Sequence, residues 1–144
     1  MVTQTVDDII AGNIRPIDQD TLTADTEIRH APKIFKDTCR LAFDLPVKRA
    51  FDFVRGMSPY PAAWTELVEE NGKRTMLKIY ATTREETTVA EAPGTVLTDG
   101  KTYFKIAFSD GYLALTQLQL AGKKRMTVSD FLRGYHPEGA LRAE

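Results

Sequence analysis

Lys123, Lys124 and Arg125 stand together between the runs LQLAG and TVSDFLRG. The second run reads as a short helix. Thr127 and Asp130 form a capping-box pair, with Asp in place of the usual Glu, and Val128, Phe131 and Leu132 give it an apolar side. A helix N-terminus carries positive partial charge, so each cation there costs about 0.3–1 kcal/mol in the free protein. Joined to free backbone N–H groups, the same cations make a phosphate site. The triplet is therefore expected to bind an anion at the helix start, with Asp130 relieving part of the repulsion when no anion is present.

Other cations stand where a barrel could gather them. Lys101 and Lys105 flank and occupy one strand, and Lys73 and Arg74 follow a hairpin turn. Hairpin turns and strand ends collect at barrel rims, which brings Lys101 and Lys105 into consideration with the triplet. Lys73, Arg74 and Arg84 read as solvated surface. Acid–base and nucleophilic chemistry has little to work with. His30 and His136 each stand close to a proline, with no Ser, Cys or carboxylate at a catalytic spacing. Cys39, the one cysteine, has no neighbours spaced for zinc and reads as a buried, inert thiol. No metal site is expected. The glycines occur singly, so no phosphate-cradling loop is present.

The elements that must hold these cations are mainly β with short helices, an α+β pattern. Val6, Ile9 and Ile10 form one face of a helix over residues 1–12, without an evident partner. Residues 13–32 have two prolines and many small polar side chains and read as a linker between domains. DLPVKRAFDFVRG predicts a helix with Asp44 as N-cap, Pro46 in its first turn, Val47, Ala50, Phe51 and Val54 inward, and Gly56 as its stop. From Trp64 to Gln119 the apolar period becomes two. AWTELV, TMLKIYAT, GTVLT, TYFKIAF and YLALTQLQL predict five short strands. Asn71-Gly72, Asp99-Gly100 and Asp110-Gly111 predict type I′ turns between them. TREETTVAEAP reads as a solvated loop and YHPEGALRAE as a tail. Together these predict a small antiparallel, oligonucleotide-binding-like barrel over residues 33–144, preceded by the helix and linker.

Charge divides along the same line. The net charge is −1, but residues 1–32 carry −4 and residues 33–144 carry +3. No apolar run approaches the roughly 20 residues of a membrane span, and no basic segment opens the chain. A cytoplasmic protein without a membrane partner is expected.

The stretches APKIFKD, FVRGMSPYPAAWTEL, LKIYAT, APGTVL, DGYLALTQLQLAGKKRM and DFLRG together resemble the C-terminal domain of the methionyl-tRNA formyltransferase family over about residues 31–134. Residues 1–11 resemble the last helix of that family's catalytic domain and 12–32 its interdomain linker. The resemblance implies that the parent enzyme formylates methionine on initiator tRNA in translation initiation, with 10-formyltetrahydrofolate as co-substrate. It implies an N-terminal catalytic domain as partner, bearing an Asn, an H-x-S-L-L-P histidine and an Asp. None of those motifs is in this chain, so the chain alone is expected to be inactive and to hold no cofactor. Lys123, Lys124 and Arg125 match the family's basic strand-end motif, and Lys33 and Lys36 its basic lead-in to the barrel. Arg55 fits either RNA binding or structure, and Trp64 is expected in the core. Two other readings compete: the related domain of a sugar-nucleotide formyltransferase, and a non-catalytic protein-interaction module. The bare stripe of the first helix also predicts self-association.

Overall fold

A computed structural model describes residues 2–23, 29–137 and 139–144. They form two compact units, Met1–Lys33 and Ile34–Glu144. In the first, helix α1 spans Val2–Ile10 and buries none of its residues. Val6, Ile9 and Ile10 are exposed. The predicted linker contains a one-turn helix, α2, Gln19–Thr23. Asp18 starts it: its carboxylate accepts from the Asp20 N–H at 3.0 Å, and its carbonyl accepts from the Thr21 hydroxyl. Residues 24–28 of the predicted linker lie outside the described residues.

The second unit is a nearly closed antiparallel barrel. Its strands are β1 (Ala63–Glu69), β2 (Arg74–Glu86), β3 (Val96–Thr98), β4 (Phe104–Phe108), β5 (Gly111–Leu120), β6 (Met126–Thr127) and β7 (Leu141–Ala143). The spatial order is β3-β4-β5-β2-β1-β7, with β6 added to β5. All five predicted strands are present. The tail and the acidic loop are shorter than expected, however. Leu141–Ala143 pairs with β1, and Thr83–Glu86 continues β2 along Gly111–Ala114 of β5. The barrel closes where Arg142 bridges Thr95 and the Ala143 N–H donates to the Gly94 carbonyl at 2.8 Å. Gly94 has φ 85°, and a Cβ there would lie 2.6 Å from the Ala143 oxygen, so closure requires glycine.

Inward side chains build one core. Leu67, Leu77, Ile79, Phe104, Ile106, Phe108, Leu113 and Leu118 meet Val47, Ala50 and Val54 of helix α3 (Val47–Met57) and Phe131 and Leu132 of helix α4 (Val128–Gly134). Trp64 departs from expectation. It is buried but stands outside this cluster, on the outer face of β1, sheltered by the segment before α3. Its indole N–H donates to the Lys36 carbonyl at 2.8 Å. Cys39 is buried, as its reading as an inert thiol requires, with its Sγ 3.2 Å from the Phe35 carbonyl.

Helix α3 begins and ends differently from the sequence expectation. Asp44 is exposed and does not cap it. The Val47 N–H donates at 2.7 Å to the carboxylate of Asp110, 63 residues away in the β4–β5 turn. The cap is tertiary, so no local pattern could reveal it. Gly56 lies inside the helix. The stop is Ser58, held extended at ψ 141° before Pro59. The Ser58–Pro59 and Tyr60–Pro61 peptides are cis, and Ala62 follows with φ 72°, a conformation that costs an L-residue about 1–2 kcal/mol.

The hairpin turns also differ in type. Gly72 and Gly100 adopt positive φ, but Asn71 and Asp99 do not, so neither turn is type I′. Around Gly72 the Gly72 N–H donates to Glu69 and the Glu69 N–H to Lys73, a three-residue hairpin with glycine at its left-handed position. Gly111 does not have positive φ. It is required by crowding: a Cβ would lie 2.2 Å from the Glu85 carbonyl oxygen.

Asp110→Ala is expected to destabilise the protein by about 1–2 kcal/mol through loss of the α3 cap, and Asp44→Ala by less than about 0.5 kcal/mol. Urea unfolding of the two variants checks the pair. Equal losses would return the cap to Asp44.

Candidate nucleic-acid interface

The alternation that buries Leu77 and Ile79 turns Met76, Lys78 and Tyr80 to the outside of β2. Cross-strand register then sets Trp64 of β1 beside Lys78, and Lys78 beside Gln119 of β5. Tyr80 donates its hydroxyl to Gln119 Oε1 at 2.7 Å. Gln119 in turn donates Nε2–H to the Lys123 carbonyl at 2.8 Å. The outer face of β1, β2 and β5 is thus continuous with the turn that carries the cation triplet.

Lys123, Lys124 and Arg125 are exposed in the β5–β6 connection. Among the described residues, none of the three makes an ion pair. Met126 and the N-cap Thr127 stand between them and α4, whose first turn has one side-chain cap. Asp130 N–H donates to Thr127 Oγ1 at 3.2 Å, and that hydroxyl donates to the Asp130 carboxylate at 2.8 Å. A phosphate there would meet a carboxylate. Thr127 is the N-cap as predicted, but the Asp130 carboxylate accepts from the Thr127 hydroxyl rather than from its backbone N–H. The members of the triplet differ in their contacts. Arg125 lies over the Tyr80 ring, 4.4 Å from its centroid, and its guanidinium donates to Gln117 Oε1. Lys123 and Lys124 remain as mobile-headed ammonium groups at the rim.

The other predicted cations fall in different places. Lys36 lies over the outer face of the Trp64 ring, 5.7 Å from its centroid, with the Arg40 guanidinium at 5.2 Å. Lys33 is exposed and belongs to the first unit. Lys101 is exposed in the β3–β4 turn. There the Asp99 carboxylate is held well below its usual range by the Thr102 hydroxyl and by the Thr102 and Lys101 N–H groups. Lys105 on β4 is paired to Glu85 at 2.7 Å. Arg55 lies 3.6 Å from Asp52 and over Phe51, on α3. Hydrogen bonding from Lys48, helped by the charges of Arg55 and Arg84, lowers the Asp52 carboxyl. Strands β3 and β4 lie on the other side of β5 from β2, so the sheet order does not bring Lys101 and Lys105 beside Lys78.

Sequence reading missed Lys78, Tyr80, Gln117 and Gln119. The signal was present in TMLKIYAT, where Met76, Lys78 and Tyr80 occupy the phase opposite Leu77 and Ile79. What it lacked was the neighbouring strand. The one carboxylate on the outer face of β1, Glu66, is held by Arg40 at 3.5 Å and Arg74 at 3.3 Å. Lys36 and Lys78 are left without an acidic partner among the described residues. The face can therefore take anions and flat rings together. Among the described residues no cluster of His, Cys, Asp and Glu could hold a metal ion, and no helix is long and apolar enough to cross a membrane.

The family profile described as "Formyl transferase, C-terminal domain" matches residues 33–136, the barrel and its lead-in. The chain belongs to that family. The formyl transferase C-terminal domain here is similar to part of a methionyl-tRNA formyltransferase of Phocaeicola vulgatus, 52% identical over 100% of this chain and 45% of the relative. The methionyl-tRNA formyltransferase of Parabacteroides distasonis is 51% identical over 94% of this chain and 42% of the relative. That of Porphyromonas gingivalis W83 is 34% identical over the same shares. The chain thus spans less than half the length of these curated relatives.

The difference within the triplet is measurable. Arg125→Ala removes a stacked contact and a hydrogen bond and is expected to cost about 1 kcal/mol. Lys123→Ala and Lys124→Ala should each change stability by no more than about 0.5 kcal/mol. Denaturant titration decides. A cost for either lysine equal to that for Arg125 would show that the triplet acts as one structural unit.

Proposed function

We propose that this chain is the C-terminal, tRNA-holding part of a cytoplasmic methionyl-tRNA formyltransferase. The parent enzyme uses 10-formyltetrahydrofolate to formylate methionyl initiator tRNA in translation initiation. Chemistry belongs to a catalytic domain outside this chain, and α1 offers Val6, Ile9 and Ile10 as an apolar face for that domain or for a second copy. The observation that carries the reading is the set of ammonium groups without acidic partners, Lys36, Lys78, Lys123 and Lys124, along one side of a barrel whose relatives carry that enzyme name. Ammonium groups act on RNA as point charges on phosphates and position it without reading bases. A barrel charge of only +3 suits a supporting contact rather than an independent tRNA binder.

The test is a salt titration of initiator tRNA binding by the intact protein. Each lost phosphate contact lowers the slope of log K against log salt by roughly 0.7–0.9. Exchanging Lys78, Lys123 and Lys124 for Ala should therefore lower it by about 2–3. Lys105→Ala, which removes a cation already paired with Glu85, should leave the slope unchanged. Equal slopes for the triple variant and the wild type would remove tRNA from this face and favour a protein-interaction or sugar-nucleotide role.

A further inference from the structure

A cavity of about 570 Å³ opens on the outer face between the lead-in segment and β2. Its walls are Ile34, Tyr60, Pro61, Trp64 and Met76, and its two cations are Lys36 and Lys78. The volume lies in the range of about 300–1,000 Å³ typical of small-molecule sites. Tyr60 is 88% exposed at the mouth of the cavity. At this rim the Ala62 N–H donates to the Met57 carbonyl at 2.9 Å.

The lining selects a ligand. It contains no carboxylate, and Glu66 on the same face is held by Arg40 and Arg74. A cationic ligand would meet Lys36 and Lys78. A purely apolar segment would bury the stem of Lys78 and leave its ammonium without a partner. A flat, polarisable ring carrying a negative group satisfies every part: the ring lies against Tyr60 and Met76, and the negative groups meet the two lysines. Met76 and Lys78 also line a second depression on this face, with Gln119 and Gly122.

We infer that the Tyr60 cavity is a stacking subsite for one unpaired nucleotide of a bound RNA, with the flanking phosphates on Lys36 and Lys78. The inference rests on the tRNA reading above and deepens it: backbone contacts alone would not distinguish paired from unpaired RNA, whereas this cavity would.

The test uses the intact protein and two probes, a single-stranded RNA oligonucleotide carrying 2-aminopurine and, as the hairpin probe, a stem closed by a non-nucleotide linker so that every base is paired. Wild type should quench the 2-aminopurine on binding. Tyr60→Ala should abolish the quench and weaken single-strand binding by at least about fivefold, the lower end for loss of one stacked base, with the hairpin unaffected. Tyr60→Phe should behave as wild type, because the ring is kept. Tyr60 is a surface residue, so neither variant should alter folding, which circular dichroism verifies. Unchanged single-strand affinity in Tyr60→Ala overturns the inference, as does equal weakening for both probes. Loosened association with the remainder of the protein, without an RNA effect, overturns it in favour of a peptide occupant. The salt slope separates this from the backbone reading: Tyr60→Ala should leave the slope unchanged, so stacking and phosphate contact can fail independently.

Discussion

The antiparallel pairing of β2 with β5 governs what this barrel can present. A strand's side chains alternate between faces without exception short of a bulge. Once Leu77, Ile79, Leu113 and Leu118 are committed to the core, Lys78, Tyr80 and Gln119 must face out. A one-residue slip would bury Lys78 and expose Ile79, a loss of several kcal/mol from apolar transfer and charge burial together. The same free energy that holds the core therefore holds the outer row in register. The bulges at Ile79–Ala81 and Ala81–Thr82 then reset the phase above Tyr80, and the long β2 continues to the acidic end of the sheet.

Charge is arranged by pairing rather than by number. Lys105, Arg55, Lys48 and Lys73 each stand near a carboxylate, and exposed pairs of this kind contribute little to stability. Their effect is to neutralise the surfaces they occupy. Arg40 and Arg74 do the same to Glu66 on β1. Among the described residues, cations without a carboxylate partner include Lys36, Lys78, Lys123 and Lys124 on this side, and Arg49, Lys101 and Arg142 elsewhere. A net charge near zero is thus compatible with one face that attracts phosphate. Arg125 adds a planar surface by lying on Tyr80, and it fixes Gln117 in the same network.

Much of the architecture was legible in sequence because it follows from local period. Five strands, the α4 capping box and the inward residues of α3 came from alternation and from Thr127, Asp130 and Pro46. The errors share one cause, action at a distance. Asp110 caps α3 across 63 residues, so Asp44, the local choice, was preferred wrongly. Gly111 was assigned to a turn type, although its reason is the Glu85 carbonyl of another strand. The contacts of Arg125 with Gln117 and Tyr80 were not legible, because adjacency along the chain does not show neighbouring strands. Trp64 is buried as expected, but an aromatic in a strand does not reveal that a preceding segment, rather than the main cluster, covers it. Lys78 was visible but had no company until β1 and β5 were placed beside it.

The central claim is that one side of the barrel, and not its whole surface, meets RNA. Lysine footprinting by mass spectrometry, on the intact protein with and without initiator tRNA, tests it most directly. The account predicts that bound tRNA shields Lys36, Lys78, Lys123 and Lys124 from amine-reactive label while Lys48 and Lys105 keep their reactivity. Protection of Lys48 and Lys105 with continued labelling of Lys78 and Lys123, or uniform protection of all six, would contradict it.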